Sequence, residues 1–131
     1  MAKKKILVVD DEIDFTELVK ARLEANDFEV IVANNGESAL EMVRAIGPDA
    51  VLLDIMMPGI DGLTVLKKIR AEHATLPVFM ITAFSNEEKI KTAGKLNASG
   101  FIIKSRSDIS EEIKNIKDAI DLANKYKEKR G

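Results

Sequence analysis

A doubly wound α/β fold, five parallel strands in one sheet with five helices over its two faces, is what the sequence predicts. Three features carry that prediction. Ile6–Val9, Ala50–Leu53 and Val78–Ile81 are short apolar runs without polar alternation, the pattern of strands buried on both sides. Amphipathic stretches at helical spacing separate them. Strand starts near residues 6, 30, 51, 78 and 101 lie 24, 21, 27 and 23 residues apart. That is the length of one strand–helix unit, and right-handed crossovers turn such units into a parallel sheet.

The first strand, Ile6–Val9, ends in two carboxylates, Asp10 and Asp11. In the helix that follows, Phe15, Leu18, Val19 and Leu23 fall on one face, with Glu17, Lys20 and Glu24 opposite. Phe28–Ala33 is the second strand, and Asn34-Asn35-Gly36 turns the chain. The second helix runs on Ala39, Leu40 and Val43 to about Ile46, and Gly47-Pro48 stops it. The third strand, Ala50–Leu53, delivers Asp54 at its tip, where Pro58-Gly59 and Asp61-Gly62 begin a turn-rich loop. Leu63, Leu66 and Ile69 make the third helix face. Pro77 precedes the fourth strand, which ends at Thr82. Asn86–Leu96 is a weaker helix: only Ile90, Ala93 and Leu96 form its apolar face, and Gly94 lowers its propensity by about 1 kcal/mol relative to alanine. Gly100–Ile103 is the fifth strand and ends at Lys104. The last helix runs from near Asp108 to about Lys129. Its Ile109, Ile113, Ile116, Ile120 and Ala123 suit a packed face better than a coiled coil.

At 131 residues, one domain over 1–131 is expected, with no linker, low-complexity tract or second core. Twenty basic and 22 acidic residues give a net charge of −2, which makes no electrostatic case for nucleic acid or an anionic membrane as partner. The chain has no cysteine, so disulfides, thiolate metal sites and thiol nucleophiles are excluded. Lys3–Lys5 precede an apolar run far too short for a signal peptide or a membrane span. The cytoplasm is the expected location.

In a parallel sheet all the C-terminal strand ends lie on one edge, and ligands bind there at the topological switch point. In the flavodoxin-like order 2-1-3-4-5 that point falls between strands one and three, which carry Asp10, Asp11 and Asp54. Thr82 and Lys104 come from the strands beside them. Carboxylates this close repel: at 4 Å and an effective dielectric of 20, one pair costs roughly 4 kcal/mol. A hard divalent cation answers that repulsion, and Mg²⁺ suits a site with few carboxylates and room for water. Cation, ammonium, hydroxyl and a nucleophilic carboxylate together suit a phosphoryl group, with a carboxylate attacking to form an acyl phosphate.

Val8-Val9-Asp10-Asp11-Glu12, Pro48-Asp49 with Leu53-Asp54, Met57-Pro58-Gly59 with Asp61-Gly62, Thr82-Ala83, and Gly100-Phe101 with Lys104 follow one another at successive strand ends. In this the chain resembles the receiver domains of two-component response regulators, such as the single-domain chemotaxis regulators, from Lys5 to about Tyr126. The resemblance implies that Asp54 is the phosphoacceptor, with Thr82 and Lys104 assisting. Asp11 would ligate Mg²⁺ directly, Asp10 largely through water, and Asp54 and the Met56 carbonyl would complete the metal site. Thr82 would be the switch hydroxyl and Phe101 the aromatic switch that swings inward with it. Ala83 would leave access to the phosphoryl group open. A sensor histidine kinase or histidine phosphotransfer protein would be the donor. The target would dock on the Asn86–Leu96 helix, the Phe101 strand and the near side of the last helix, with the chain a monomer or weak dimer.

One departure stands out. Such domains usually follow the lysine with proline, often in a cis peptide, whereas Ser105-Arg106-Ser107 follows here. A cis bond before serine would cost roughly 2.5–4 kcal/mol, so a trans peptide is expected. Taken singly, the residues have plainer readings: Asp10-Asp11 as a helix cap, Thr82 as a strand-end hydroxyl, Lys104 as a loop lysine, Phe101 as core, His73 as surface. Rival functions fare worse. A flavin carrier needs a Ser/Thr/Gly-rich phosphate loop after strand one, where Asp-Asp-Glu would repel phosphate. A haloacid-type phosphatase needs a second aspartate where Met56 stands. A receiver-like module that binds partners without phosphorylation is the remaining alternative. Met56 and Phe84, two residues beyond Asp54 and Thr82, should flank the approach of hydrolytic water, and neither orients water. A long-lived acyl phosphate is therefore expected.

Overall fold

The structure, a computed structural model, describes residues 3–83, 87–105 and 109–130, the last four of these by their backbone alone. Five strands, β1 (Lys4–Val9), β2 (Phe28–Ala33), β3 (Ala50–Asp54), β4 (Val78–Thr82) and β5 (Gly100–Ile103), alternate with five helices. These are α1 (Ile13–Ala25), α2 (Gly36–Ile46), α3 (Gly62–Glu72), α4 (Glu87–Lys95) and α5 (Ser110–Arg130). The sheet is parallel throughout, in the order β2-β1-β3-β4-β5, as the sequence predicts.

The apolar runs lack polar alternation because both faces of the sheet are covered. Leu7, Val9, Val51, Leu53 and Met80 point to one face, where Val43 of α2 and Val65, Leu66 and Ile69 of α3 cover them. Ile6, Val8, Leu52, Phe79 and Ile81 point to the other, under Val19 and Leu23 of α1, Ile109 just before α5, and Ile113, Ile116 and Ile120 of α5. Each fully buried isoleucine contributes roughly 1.5–3 kcal/mol. That makes α5 a firmly held helix, whereas α4 buries only Ala93.

The helix ends have local causes. Asn35 caps α2 by accepting from the Ser38 N–H at 2.8 Å, and Asp61 caps α3 by accepting from the Thr64 N–H at 2.9 Å. Both cover otherwise orphaned donors of the first turn. Gly47 closes α2 at φ 62° with its N–H on the Val43 carbonyl, the left-handed cap that only glycine adopts without strain.

The face of α1 departs from expectation. Leu18 is 47% exposed, and the buried positions are Thr16, Val19 and Leu23. Thr16 occupies the core side because its hydroxyl donates to the Ile13 carbonyl at 2.8 Å, which leaves its methyl to pack. In α3, Val65 joins the buried face that Leu66 and Ile69 define, while Leu63 is only partly buried.

Candidate functional site

Strand register assembles the site. Val9 pairs with Leu53, Asp54 with Ile81, and Thr82 with Ile103. Asp10, Asp54, Thr82 and Lys104 thus arrive side by side on the C-terminal edge, astride the β1–β3 switch point. Three of the four buried polar residues described are in this group: Asp10 is fully buried, and Asp54 and Thr82 nearly so. Asp11 is exposed at the rim, yet Asp10, Asp11 and Asp54 each offer an oxygen within 4.8 Å of the others.

Lys104 is the counter-charge. Its Nζ lies 3.2 Å from Asp54 Oδ2 and 3.0 Å from Asp10 Oδ2, and donates to Glu12 Oε1 at 2.6 Å. The ammonium also stands 5.3 Å from the centre of the Phe15 ring, within cation–π range. Burial lowers the Lys104 pKa, but hydrogen bonds to Glu12 and Asp10 and the charges of Asp54 and Asp10 outweigh it, so the net shift is upward. Asp54 moves up as well. Burial first, then the charge of Asp10, lift it from 3.8 to about 6, against the pull of Lys104 and of the Met56 N–H. That N–H donates to Asp54 Oδ1 at 3.2 Å.

The donors do not satisfy every oxygen. Asp10 Oδ1 accepts from the Glu12 N–H at 2.9 Å. Asp10 Oδ2 is close to Lys104 Nζ but out of hydrogen-bond alignment, and it is a buried oxygen with no donor. An orphaned buried carboxylate oxygen is costly, and beside two more carboxylates it fits a hard cation with oxygen ligands. Relief of this repulsion gives a measurable expectation. Mg²⁺ should raise the melting temperature, by about 2.7 kcal/mol of stability at a hundred times its dissociation constant. Asp10→Asn should stabilise the metal-free protein and shrink the Mg²⁺ effect, because Lys104 keeps Glu12 and Asp54 as partners. A melting temperature indifferent to Mg²⁺ in the wild type would rule out the cation site.

The other sequence candidates fall as follows. Phe101 is partly buried and packs against the α2–α3 side of the core. Ala83 is exposed. The Met56 side chain is 59% exposed and its Sδ accepts from Lys89 Nζ of α4 at 2.9 Å. Phe84 lies outside the described residues. No described peptide bond is cis, so Lys104–Ser105 is trans as expected, and Ser105 is exposed. Two contributors were not singled out in the sequence, Glu12 and Phe15. The signal for Glu12 was the third carboxylate of Asp10-Asp11-Glu12; for Phe15 there was none, since position 15 reads as helix face.

Fold and strand order are those of flavodoxin-like, chemotaxis-regulator-type proteins. The Vibrio cholerae chemotaxis protein CheY4 superposes with a TM-score of 0.82 at 26% identity, over 90% of this chain and 99% of that one. NtrX from Brucella abortus, in its complex with ATP, superposes at 0.87 with 35% identity, over 98% of this chain and 29% of that one. The Bacillus subtilis alkaline phosphatase synthesis transcriptional regulatory protein PhoP is 38% identical over 116 residues, 86% of this chain and 48% of its own length. The probable transcriptional regulator ycf27 of Porphyridium aerugineum is 35% identical over 94% of this chain and 52% of its own. The chain thus spans about half the length of these two relatives. It belongs to the response regulator receiver domain family, whose sequence model matches residues 6–121.

Proposed function

We propose that residues 1–131 form a single receiver domain that accepts a phosphoryl group on Asp54 from a histidine kinase or histidine phosphotransfer protein in the cytoplasm. The observation that carries this reading is the setting of Asp54. It is a nearly buried carboxylate at the β3 tip, with Oδ1 held by the Met56 N–H and Oδ2 by Lys104. An Asp54 oxygen forms the new bond to phosphorus as the bond to the donor's nitrogen or oxygen breaks, and that electron pair leaves with the donor. Lys104 meets the phosphoryl oxygens with positive charge, and the Thr82 hydroxyl donates to one of them. Mg²⁺ held by Asp10, Asp11, Asp54 and the Met56 carbonyl would add positive charge against the same oxygens. No described helix is long and apolar enough to cross a membrane. Exposure to acetyl phosphate and Mg²⁺, followed by intact mass and fragment mapping, tests the reading. One phosphoryl adduct on Asp54 is expected. No adduct would make the chain a binding module that works without phosphorylation.

The output is read as the α4–β5–α5 face. Tying down Thr82 biases Phe101 and α4, and α4 is the helix with the least buried apolar surface and so the easiest to shift. Amide exchange should therefore change between residues 82 and 104 on activation. Changes confined to α1 and α2 would contradict this face.

The acyl phosphate should persist. Met56 is exposed beside Asp54 and offers in-line water no polar group to orient it. A barrier higher by only about 1.4 kcal/mol slows hydrolysis tenfold. After the donor is removed, decay should take many minutes in the wild type and less in Met56→Asn. Equal decay in the two would show that position 56 does not govern water access.

A further inference from the structure

Met56 has a second feature that phosphoryl transfer does not use. Of the methionines described, Met57 and Met80 are buried and Met42 is half-buried, while Met56 is 59% exposed. The chain has no cysteine, so among the described residues Met56 is the only exposed one that carries sulfur. It is not a lone group. Lys89 Nζ donates to Met56 Sδ at 2.9 Å, so the thioether bridges the β3–α3 loop to the first half of α4. Ala93 is the one buried residue of that helix.

We propose that Met56 is a reversible oxidation site whose sulfoxide, held by Lys89, clamps α4 onto the β3–α3 loop. The oxidant class is a peroxide. A sulfur lone pair bonds to one peroxide oxygen and the O–O bond breaks. The departing oxygen takes up the proton from the transferred one and leaves as water. Sulfur loses two electrons and the peroxide gains them. Lys89 suits both ends of this step. Its N–H groups meet the negative charge that builds on the departing oxygen, and afterwards they meet the sulfoxide oxygen. A thioether is a weak acceptor, and a sulfoxide oxygen is a strong one. An ammonium that donates to it makes a charge-assisted hydrogen bond. Oxidation therefore strengthens a link the reduced protein already has. Methionine sulfoxide reductases undo the step.

This link sits two residues from Asp54, whose Oδ1 accepts from the Met56 N–H. A peroxide signal and a phosphoryl signal would then meet on one loop. The oxidation and the clamp stand on Met56 and Lys89 alone and hold whether or not Asp54 is the acceptor.

The test uses the full chain, dilute hydrogen peroxide, fragment mapping of the added oxygen, and amide exchange by mass spectrometry. Oxygen should be found on Met56 before Met42, Met57 or Met80. In the oxidised wild type, exchange across residues 87–95 should slow by about tenfold, equivalent to roughly 1.4 kcal/mol. The slowing should vanish in oxidised Lys89→Ala and in peroxide-treated Met56→Leu, and a sulfoxide reductase should reverse it. Met56 is exposed and Lys89 only partly buried, and neither belongs to the core, so the fold should survive both substitutions. Oxidation that starts at Met42 or Met57, or equal slowing in Lys89→Ala, would overturn the proposal. So would oxidised Met56 with unchanged exchange in α4.

Discussion

Asp54→Asn should end acylation by acetyl phosphate and, in the same protein, raise the stability of the metal-free fold. Both outcomes have one cause. The carboxylate is a nucleophile because it is ionised, and an amide is not one. It is also a charge held out of water beside a second buried carboxylate, Asp10. Burial and that neighbour lift Asp54 from 3.8 to about 6. A group whose pKa is higher in the folded state favours the fold while protonated. That contribution is complete below 3.8 and is lost as the pH climbs through about 6. Without metal, the wild type should thus give up roughly 3 kcal/mol across this window. Asp54→Asn, with nothing to ionise there, should not. Lys104 is not stranded by the change, since Glu12 and Asp10 still hold it. The readout is the difference in stability between the two proteins, followed with pH in a chelator. It should widen from near pH 4 to pH 7 as Asp54 ionises. A phosphoryl adduct that survives in Asp54→Asn, or moves to a serine or threonine in the wild type, would remove Asp54 from its role.

The loop after β5 shows how one chain reaches a lysine position without the usual proline. The Lys104 N–H continues the sheet by donating to the Thr82 carbonyl at 2.9 Å. Its side chain then turns inward over Phe15 to three carboxylates. Glu12 makes the shortest of these contacts. At the rim of the site it holds the ammonium by charge rather than by backbone shape.

What could be read in the sequence follows from distance along the chain. The strands were legible because burial on both faces writes itself as an unbroken apolar run, and the helix order follows from their spacing. Asp10, Asp54, Thr82 and Lys104 were legible because each directly follows or ends such a run. Contacts between distant residues were not. Glu12 and Lys104 are 92 positions apart, and nothing local to either marks the other. Arg70 is a similar case. It reads as a polar helix residue, yet its guanidinium donates to the carbonyls of His73, Leu76 and Asn97 and ties α3 to the loops beneath it. Thr16 was absent from the apolar face read in the sequence because its polarity conceals a hydroxyl already satisfied within its own helix.

Gly62→Ala should be the most damaging of the glycine substitutions, for stability and for acylation alike. The Asp61-Gly62 pair reads as a turn, but the structure gives Gly62 a different duty. Its N–H donates to the Ile55 carbonyl at 2.9 Å, closing the loop that follows Asp54. Its Cα lies against the Asp54 peptide. A Cβ there would overlap the Asp54 carbonyl oxygen and stand 2.8 Å from Ile55 Cα. No rotamer change relieves a collision with backbone, so either α3 or the β3 tip must move. The cost should be about 3 kcal/mol or more. A shift of the Asp54 backbone by even about 1 Å should slow acylation on the order of a hundredfold. Two other glycines separate this effect from a general intolerance. Gly59 has φ +80° and open space around it, so Gly59→Ala should cost only about 1–2 kcal/mol of backbone strain. Gly94 is exposed within α4, and a Cβ added there would meet nothing within 4 Å, so Gly94→Ala should stabilise by about 1 kcal/mol. Denaturant unfolding of the three variants, with acylation rates measured at equal folded fraction, tests the order. If Gly62→Ala proved no less stable than Gly59→Ala and acylated at the wild-type rate, the close approach of Gly62 to Asp54 would have no part in holding the acceptor in place.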